Sequence, residues 1–182
     1  MLSGKYDKMH LVPFGEYIPF KKILFFVDKM VQAIGEVLPG QSYVVMSVNE
    51  KTLSTVICFE IIFPDLVRKF VDNGAQFLLT ITNDAWYGRS AAPYQHFAMA
   101  AFRAIENRTA IARAANTGIS GFIDPYGRIL AQSDIYVEDA LVHTIPLRTT
   151  TTFYTQYGNV FAILCSILTT VCVGYAWYRR KK

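Results

Sequence analysis

From Val160 to Trp177 the chain carries no ionisable side chain except cysteine and tyrosine. Val160, Phe161, Ile163, Leu164, Ile167, Leu168, Val171, Val173 and Trp177 make that run strongly apolar. With Tyr157 and Tyr178 as interfacial ends, a helix over 157–178 matches the ~30 Å hydrocarbon thickness of a bilayer. A segment of this kind either crosses a membrane or fills a large core, and the first reading is the better one. The four residues that follow, Arg179, Arg180, Lys181 and Lys182, read as a basic cytoplasmic tail, which puts the rest of the chain outside. The alternative is a tail-anchored cytosolic protein, which would have to send four cations outward across the bilayer.

Those four charges account for the whole formal net charge of +4. The remaining basic and acidic residues balance, so the basicity is a topology signal and gives no support for nucleic-acid binding. With 52% apolar residues the chain can bury a core and is no disordered polymer. Residues 1–6 read neither as a signal peptide nor as a membrane span, so the sequence looks like the carboxyl part of a longer protein.

Residues 1–155 have the rhythm of an α/β domain. Residues 20–38 carry Ile23, Val27, Met30, Val31, Ile34 and Leu38 at helical spacing before Pro39-Gly40, predicting an amphipathic helix packed on a sheet or lying against lipid. Thr55-Val56-Ile57-Cys58 ends a buried strand. Pro64 then opens a helix that Asn73-Gly74 closes, and Phe77 to Thr82 forms a second strand. Such a unit makes the two strands parallel, so Cys58 and the loop Asn83-Asp84-Ala85-Trp86-Tyr87-Gly88 should share one sheet edge. A helix from about Pro93 to Asn107 should turn Phe97, Ala101, Ala104 and Ile105 inward. Strands are predicted at Ala110–Ala115, Ser120–Ile123, Ile129–Ala131 and Ala140–Ile145.

Cys58 is the natural nucleophile. A thiol of ordinary pKa near ~8.5 is mostly protonated at neutral pH, so it needs a base or a nearby cation. Lys8 is the candidate cation. Cys165 and Cys172 sit inside the apolar run and read as packing residues, leaving Cys58 without an obvious disulfide partner. His10, His96 and His143 show no metal-ligand spacing and read as structural. Asn83 and Asp84 should fix their loop by side-chain to backbone hydrogen bonds, and Arg103–Glu106 should be a surface pair.

Four strings give these residues a family context: YDKMHLVPFGEYIP, ICFE, TNDAWYG and ANTGISGFIDPYGR. Together they resemble the nitrilase (carbon-nitrogen hydrolase) superfamily, and within it the apolipoprotein N-acyltransferases of bacterial inner membranes. The resemblance covers essentially the whole chain. It implies the carboxyl-terminal part of an αββα sandwich over residues 1–155, followed by the membrane helix.

It also implies a Glu, Lys, Cys triad with its lysine at Lys8 and nucleophile at Cys58. Glu16 and Glu60 fall on supporting acidic positions, and Phe59 stands where these acyltransferases commonly have tyrosine. The base glutamate belongs to sequence preceding Lys8, so a missing amino-terminal half is expected to supply it. The implied reaction needs no cofactor. A phospholipid donates an acyl chain to Cys58 as a thioester, which then passes to the diacylglyceryl-cysteine amine of an apolipoprotein. Trp86 and Tyr87 would line the acyl channel, or else be ordinary loop aromatics. A nitrilase-type amidohydrolase and an inactive fragment are the alternatives.

Overall fold

The computed structural model describes residues 4–17 and 37–181. Its sheet contains six strands in chain order: β1 (Met46–Val48), β2 (Lys51–Ile57), β3 (Phe77–Asn83), β4 (Ala110–Asn116), β5 (Gly121–Ile123) and β6 (Ile129–Gln132). β2, β3 and β4 run parallel, while the pairs β1–β2, β4–β5 and β5–β6 are antiparallel. The register places Ile57 beside Ile81 and Asn83 beside Asn116, so the parallel strands finish on a common edge.

Two helices return the chain between the parallel strands. α1 (Pro64–Asp72) begins with proline in its first turn, where the missing N–H costs nothing, and Asn73 N–H closes it on Lys69 O. Gly74 follows at φ +106°, a conformation that residues with a Cβ rarely adopt. α2 (Ala92–Asn107) ends at Arg108 in the left-handed region. Alternation along the strands then decides the core. Val56, Leu78, Ile111 and Ile123 face the helices and pack with Val67, Phe70 and Val71 of α1 and Phe97, Ala100 and Ala104 of α2. Full burial of a side chain such as Phe70 contributes about 1.5–3 kcal/mol.

The opposite face of the sheet is open among the described residues. Leu79, Ile81, Ala112 and Phe122 line a shallow concavity there, and Ile81 is 48% exposed. One helical layer and one sheet layer are thus present, the carboxyl-terminal part of the expected sandwich.

Four expectations need correction or fall elsewhere. The strand anticipated at Ala140–Ile145 does not form: the chain there joins no ladder, and Val142 is 94% exposed. Leu141 instead lines the same concavity as Phe122. Arg148 secures the segment by donating to the carbonyls of Ala75 and Val71. α2 keeps Phe97 and Ala104 in the core, with Ala101 against it, as anticipated, but its buried face extends toward Arg103, and Ile105 is 41% exposed. The pair Arg103–Glu106 is therefore no surface pair, and Arg103 also donates to Ile62 O at 3.0 Å. The helix anticipated at 20–38 lies almost entirely outside the described residues.

A short helix, α3 (Phe153–Tyr157), and a polar joint connect this domain to α4 (Val160–Arg180). Thr155 Oγ1 donates to Asn107, Thr152 Oγ1 donates to Glu106 O, and Arg68 donates to Thr155 O. α4 is long and apolar enough to cross a membrane: 21 residues span about 30 Å, and none is buried in the protein. Its hydroxyls suit such a setting. Ser166, Thr169 and Thr170 each donate at 2.8 Å to the carbonyl four residues earlier, so these three hydroxyls turn their hydrogens back to the helix.

Candidate active site

Cys58 is the first residue beyond β2 and opens a 3₁₀ turn, Cys58–Ile62. Its φ is +54°, in the left-handed region that a non-glycine residue occupies at a cost of about 1–2 kcal/mol. The turn carries the half-buried thiol out of the strand line at the edge that β3 shares.

Glu60 is the anchor of this turn. It is fully buried, and its carboxylate accepts from Ile57 N–H at 2.8 Å on one oxygen. The other oxygen accepts from Met9 N–H at 2.7 Å, His10 N–H at 2.9 Å and the Tyr6 hydroxyl at 2.8 Å. A buried carboxylate is tolerable when its lone pairs are met in this way. Burial, then the bond to Glu60, pushes the Tyr6 hydroxyl far above its ordinary pKa, so it stays a donor. Glu60 thus ties the segment around Lys8 to the turn around Cys58.

Lys8 has a side chain only 9% exposed and pairs with Glu16, the two oxygens lying at 2.5 and 2.7 Å from Nζ. Glu16 also accepts from Val12 N–H at 2.8 Å, which closes the loop between them. On the other side Gly40 donates its N–H to Lys8 O, and a Cβ at Gly40 would strike the backbone of Asp7. Phe59 packs edge-on against Phe63, with ring centroids 5.7 Å apart.

The β3 loop completes the edge. Asn83 accepts from Ala85 N–H and opens the turn Asp84–Tyr87. Trp86 is 81% exposed, whereas Tyr87 is half-buried with its ring edge against His96. Burial, then the negative charge available at Cys58, raises the Tyr87 pKa.

Asp84 departs from expectation. Its partners are side chains: Thr82 Oγ1 at 2.8 Å, His96 Nδ1 at 3.0 Å and Arg113 Nη2 at 2.8 Å. Burial alone would raise its pKa, but the His96 hydrogen bond and the Arg113 charge hold it below the ordinary carboxylate value. Gly118 is required beside it, because a Cβ there would collide with the carboxylate. Arg113 was missed in the sequence, although an arginine inside the apolar strand AIARAAN was a signal. A buried guanidinium must have a partner. Among the described residues no cluster of His, Cys, Asp and Glu could hold a metal ion.

This edge sets a cysteine thiol just beyond a parallel strand of an α/β sheet. The chain belongs to the carbon-nitrogen hydrolase family, whose pattern matches residues 1–154. It is 46% identical to the apolipoprotein N-acyltransferase of Geobacter metallireducens over 98% of this chain and 34% of that protein. It is 38% identical to the same-named protein of Pasteurella multocida over 99% of this chain and 35% of that one. The chain therefore spans about a third of the length of the curated relatives it matches. Among solved structures, Saccharomyces cerevisiae Nit3, a member of branch 10 of the nitrilase superfamily, has the same fold. Its TM-score is 0.54 at 19% identity, covering 74% of this chain and 45% of Nit3.

Proposed function

We propose that these residues form the nucleophile-bearing part of an apolipoprotein N-acyltransferase. The observation that carries this is the left-handed Cys58 at the sheet edge, joined through Glu60 to the segment of the Lys8–Glu16 pair. The similarity to the two acyltransferases supports lipoprotein N-acylation as the reaction.

The chemistry follows from the groups present. A base, expected in the part of the relatives' length that this chain does not span, takes the Cys58 proton. The thiolate attacks the ester carbonyl of a phospholipid, the C–O bond breaks, and a lysophospholipid leaves with the proton. The α-amine of a diacylglyceryl-cysteine then attacks the thioester, the C–S bond breaks, an amide forms and the thiol is restored. Two of the three N–H groups of Lys8 meet Glu16, and the third can face the oxyanion together with Phe59 N–H. Each such donor is worth on the order of 3 kcal/mol in the transition state. The Phe59 side chain brings only a ring to this turn, and the steps above use no hydroxyl at that position.

The setting suits lipid substrates. α4 tethers the domain to a bacterial inner membrane, the site faces the extracytoplasmic side, and Arg179 to Lys182 stay in the cytoplasm. Trp86, exposed on the same edge, would line the path of the acyl chain.

The test supplies the protein with phosphatidylethanolamine and a diacylglyceryl-cysteine peptide. Formation of the N-acyl peptide, lost in Cys58→Ala, is the expected result; full transfer by Cys58→Ala would refute it. The family match and the fold shared with Nit3 keep a second reading, hydrolysis of a small amide by the same thiol. Turnover of a small amide without any acyl transfer would favour it. Because the chain spans a third of its relatives, absence of both activities would mark it as a fragment that needs the remaining sequence.

A further inference from the structure

A chain of buried side chains runs from the middle of β4 to the backbone of Cys58. Arg113 is 4% exposed, Asp84 1% and His96 4%. Arg113 Nε donates to Ile119 O at 3.1 Å, and its Nη2 lies 2.8 Å from Asp84 and 3.1 Å from His96 Nδ1. Asp84 also lies 3.0 Å from His96 Nδ1, and Thr82 Oγ1 donates to it. The far nitrogen, His96 Nε2, is 3.2 Å from the carbonyl oxygen of Cys58.

Chemistry settles one proton. A carbonyl oxygen only accepts, so Nε2 carries hydrogen and donates to Cys58 O. Nδ1 meets both a donor, Arg113, and an acceptor, Asp84, so the ring keeps a partner there whether neutral or cationic. The Nε2 hydrogen bond is therefore maintained in either state.

A buried polar cluster whose only task was filling the core could end on any backbone group. This one ends on the carbonyl of a non-glycine residue held at φ +54°, the residue that presents the thiol. Released from its carbonyl bond, Cys58 is free to relax toward an ordinary φ and swing the thiol away from the edge. We propose that His96 is a positioning residue for the Cys58 nucleophile, its Nε2–H holding the Cys58 carbonyl while the Asp84–Arg113 pair fixes the ring. The inference rests on the reading of Cys58 as nucleophile.

The test is the alkylation rate of Cys58 by iodoacetamide in the full 182-residue chain in detergent, read by mass spectrometry of the Cys58 peptide. The variants are His96→Ala, His96→Asn and His96→Gln, each also melted thermally. Glutamine can place an N–H near the position of Nε2, whereas asparagine and alanine cannot. A misplaced reacting group loses rate steeply, so His96→Ala and His96→Asn should react about tenfold more slowly or worse. His96→Gln should stay within about threefold of the native rate while losing comparable thermal stability. Equal rates in all variants, or equal slowing in all three, would overturn the proposal. Failure of the acyl-transfer reading is a separate result: native chain that forms no thioester from phosphatidylethanolamine yet shows this alkylation pattern keeps the positioning role and loses the reaction.

Discussion

Glu60 reaches Met9, 51 residues away in sequence, with a 2.7 Å hydrogen bond to its N–H, while its other oxygen holds Ile57 N–H three residues back. One buried carboxylate thereby sets the position of the Lys8 segment relative to the Cys58 turn. Glutamine in its place keeps one acceptor and turns an NH₂ group toward amide donors. Glu60→Gln should destabilise the protein by about 2–3 kcal/mol, the worth of hydrogen bonds to a charged acceptor. Hydrogen exchange at Met9 and His10 should quicken beyond what the global stability loss explains, and unchanged local protection would contradict this.

The Lys8–Glu16 pair allows charge pairing to be tested apart from the catalytic role proposed for Lys8. Lys8→Met leaves Glu16 with an unpaired charge, so both stability and acyl transfer should fall. Lys8→Met/Glu16→Gln should recover most of the stability and none of the transfer. Recovered transfer in the double variant would remove Lys8 from the mechanism.

Gly118 sits against Asp84 with no room for a methyl group. Gly118→Ala should cost about 1–3 kcal/mol by overpacking. The loss should shrink markedly in an Asp84→Ala background, because the collision partner is then gone. A double-mutant cycle on melting data measures this, and full additivity would disprove the contact.

Glu106 provides a pH signature. Burial raises its pKa, although Arg103 beside it acts in the opposite sense. A carboxyl whose folded pKa is raised binds more protons folded than unfolded, so its contribution to stability falls as pH rises from the ordinary value of about 4.3 through the raised one. Glu106→Gln removes that fall. Its melting temperature relative to the native chain should climb between pH 4 and pH 7, and a constant difference would exclude the effect.

How much was legible in the sequence depended on whether a feature was local. β2, α1 and β3 could be read from an apolar run, a proline and an Asn-Gly pair, because each boundary is written in adjacent residues. The membrane-length helix was legible for the same reason. Lys8, Cys58 and Glu60 were singled out by their motifs, but the hydrogen bonds that Met9 and His10 N–H donate to Glu60 had no sequence signal. Nor had the Asp84–His96–Arg113 chain, whose members lie on a loop, a helix and a strand and meet only after β3 and β4 pair. At Ala140–Ile145 the apolar residues misled, since lining a concavity on the sheet face and pairing with a strand edge draw on the same residue types.

The most direct measurement is the mass of the Cys58 peptide after the protein has been incubated with phosphatidylethanolamine vesicles and no acceptor. The acyltransferase mechanism predicts an added acyl chain on Cys58 that hydroxylamine removes and that a diacylglyceryl-cysteine peptide discharges. An unmodified Cys58 in protein that still acylates the peptide would contradict it.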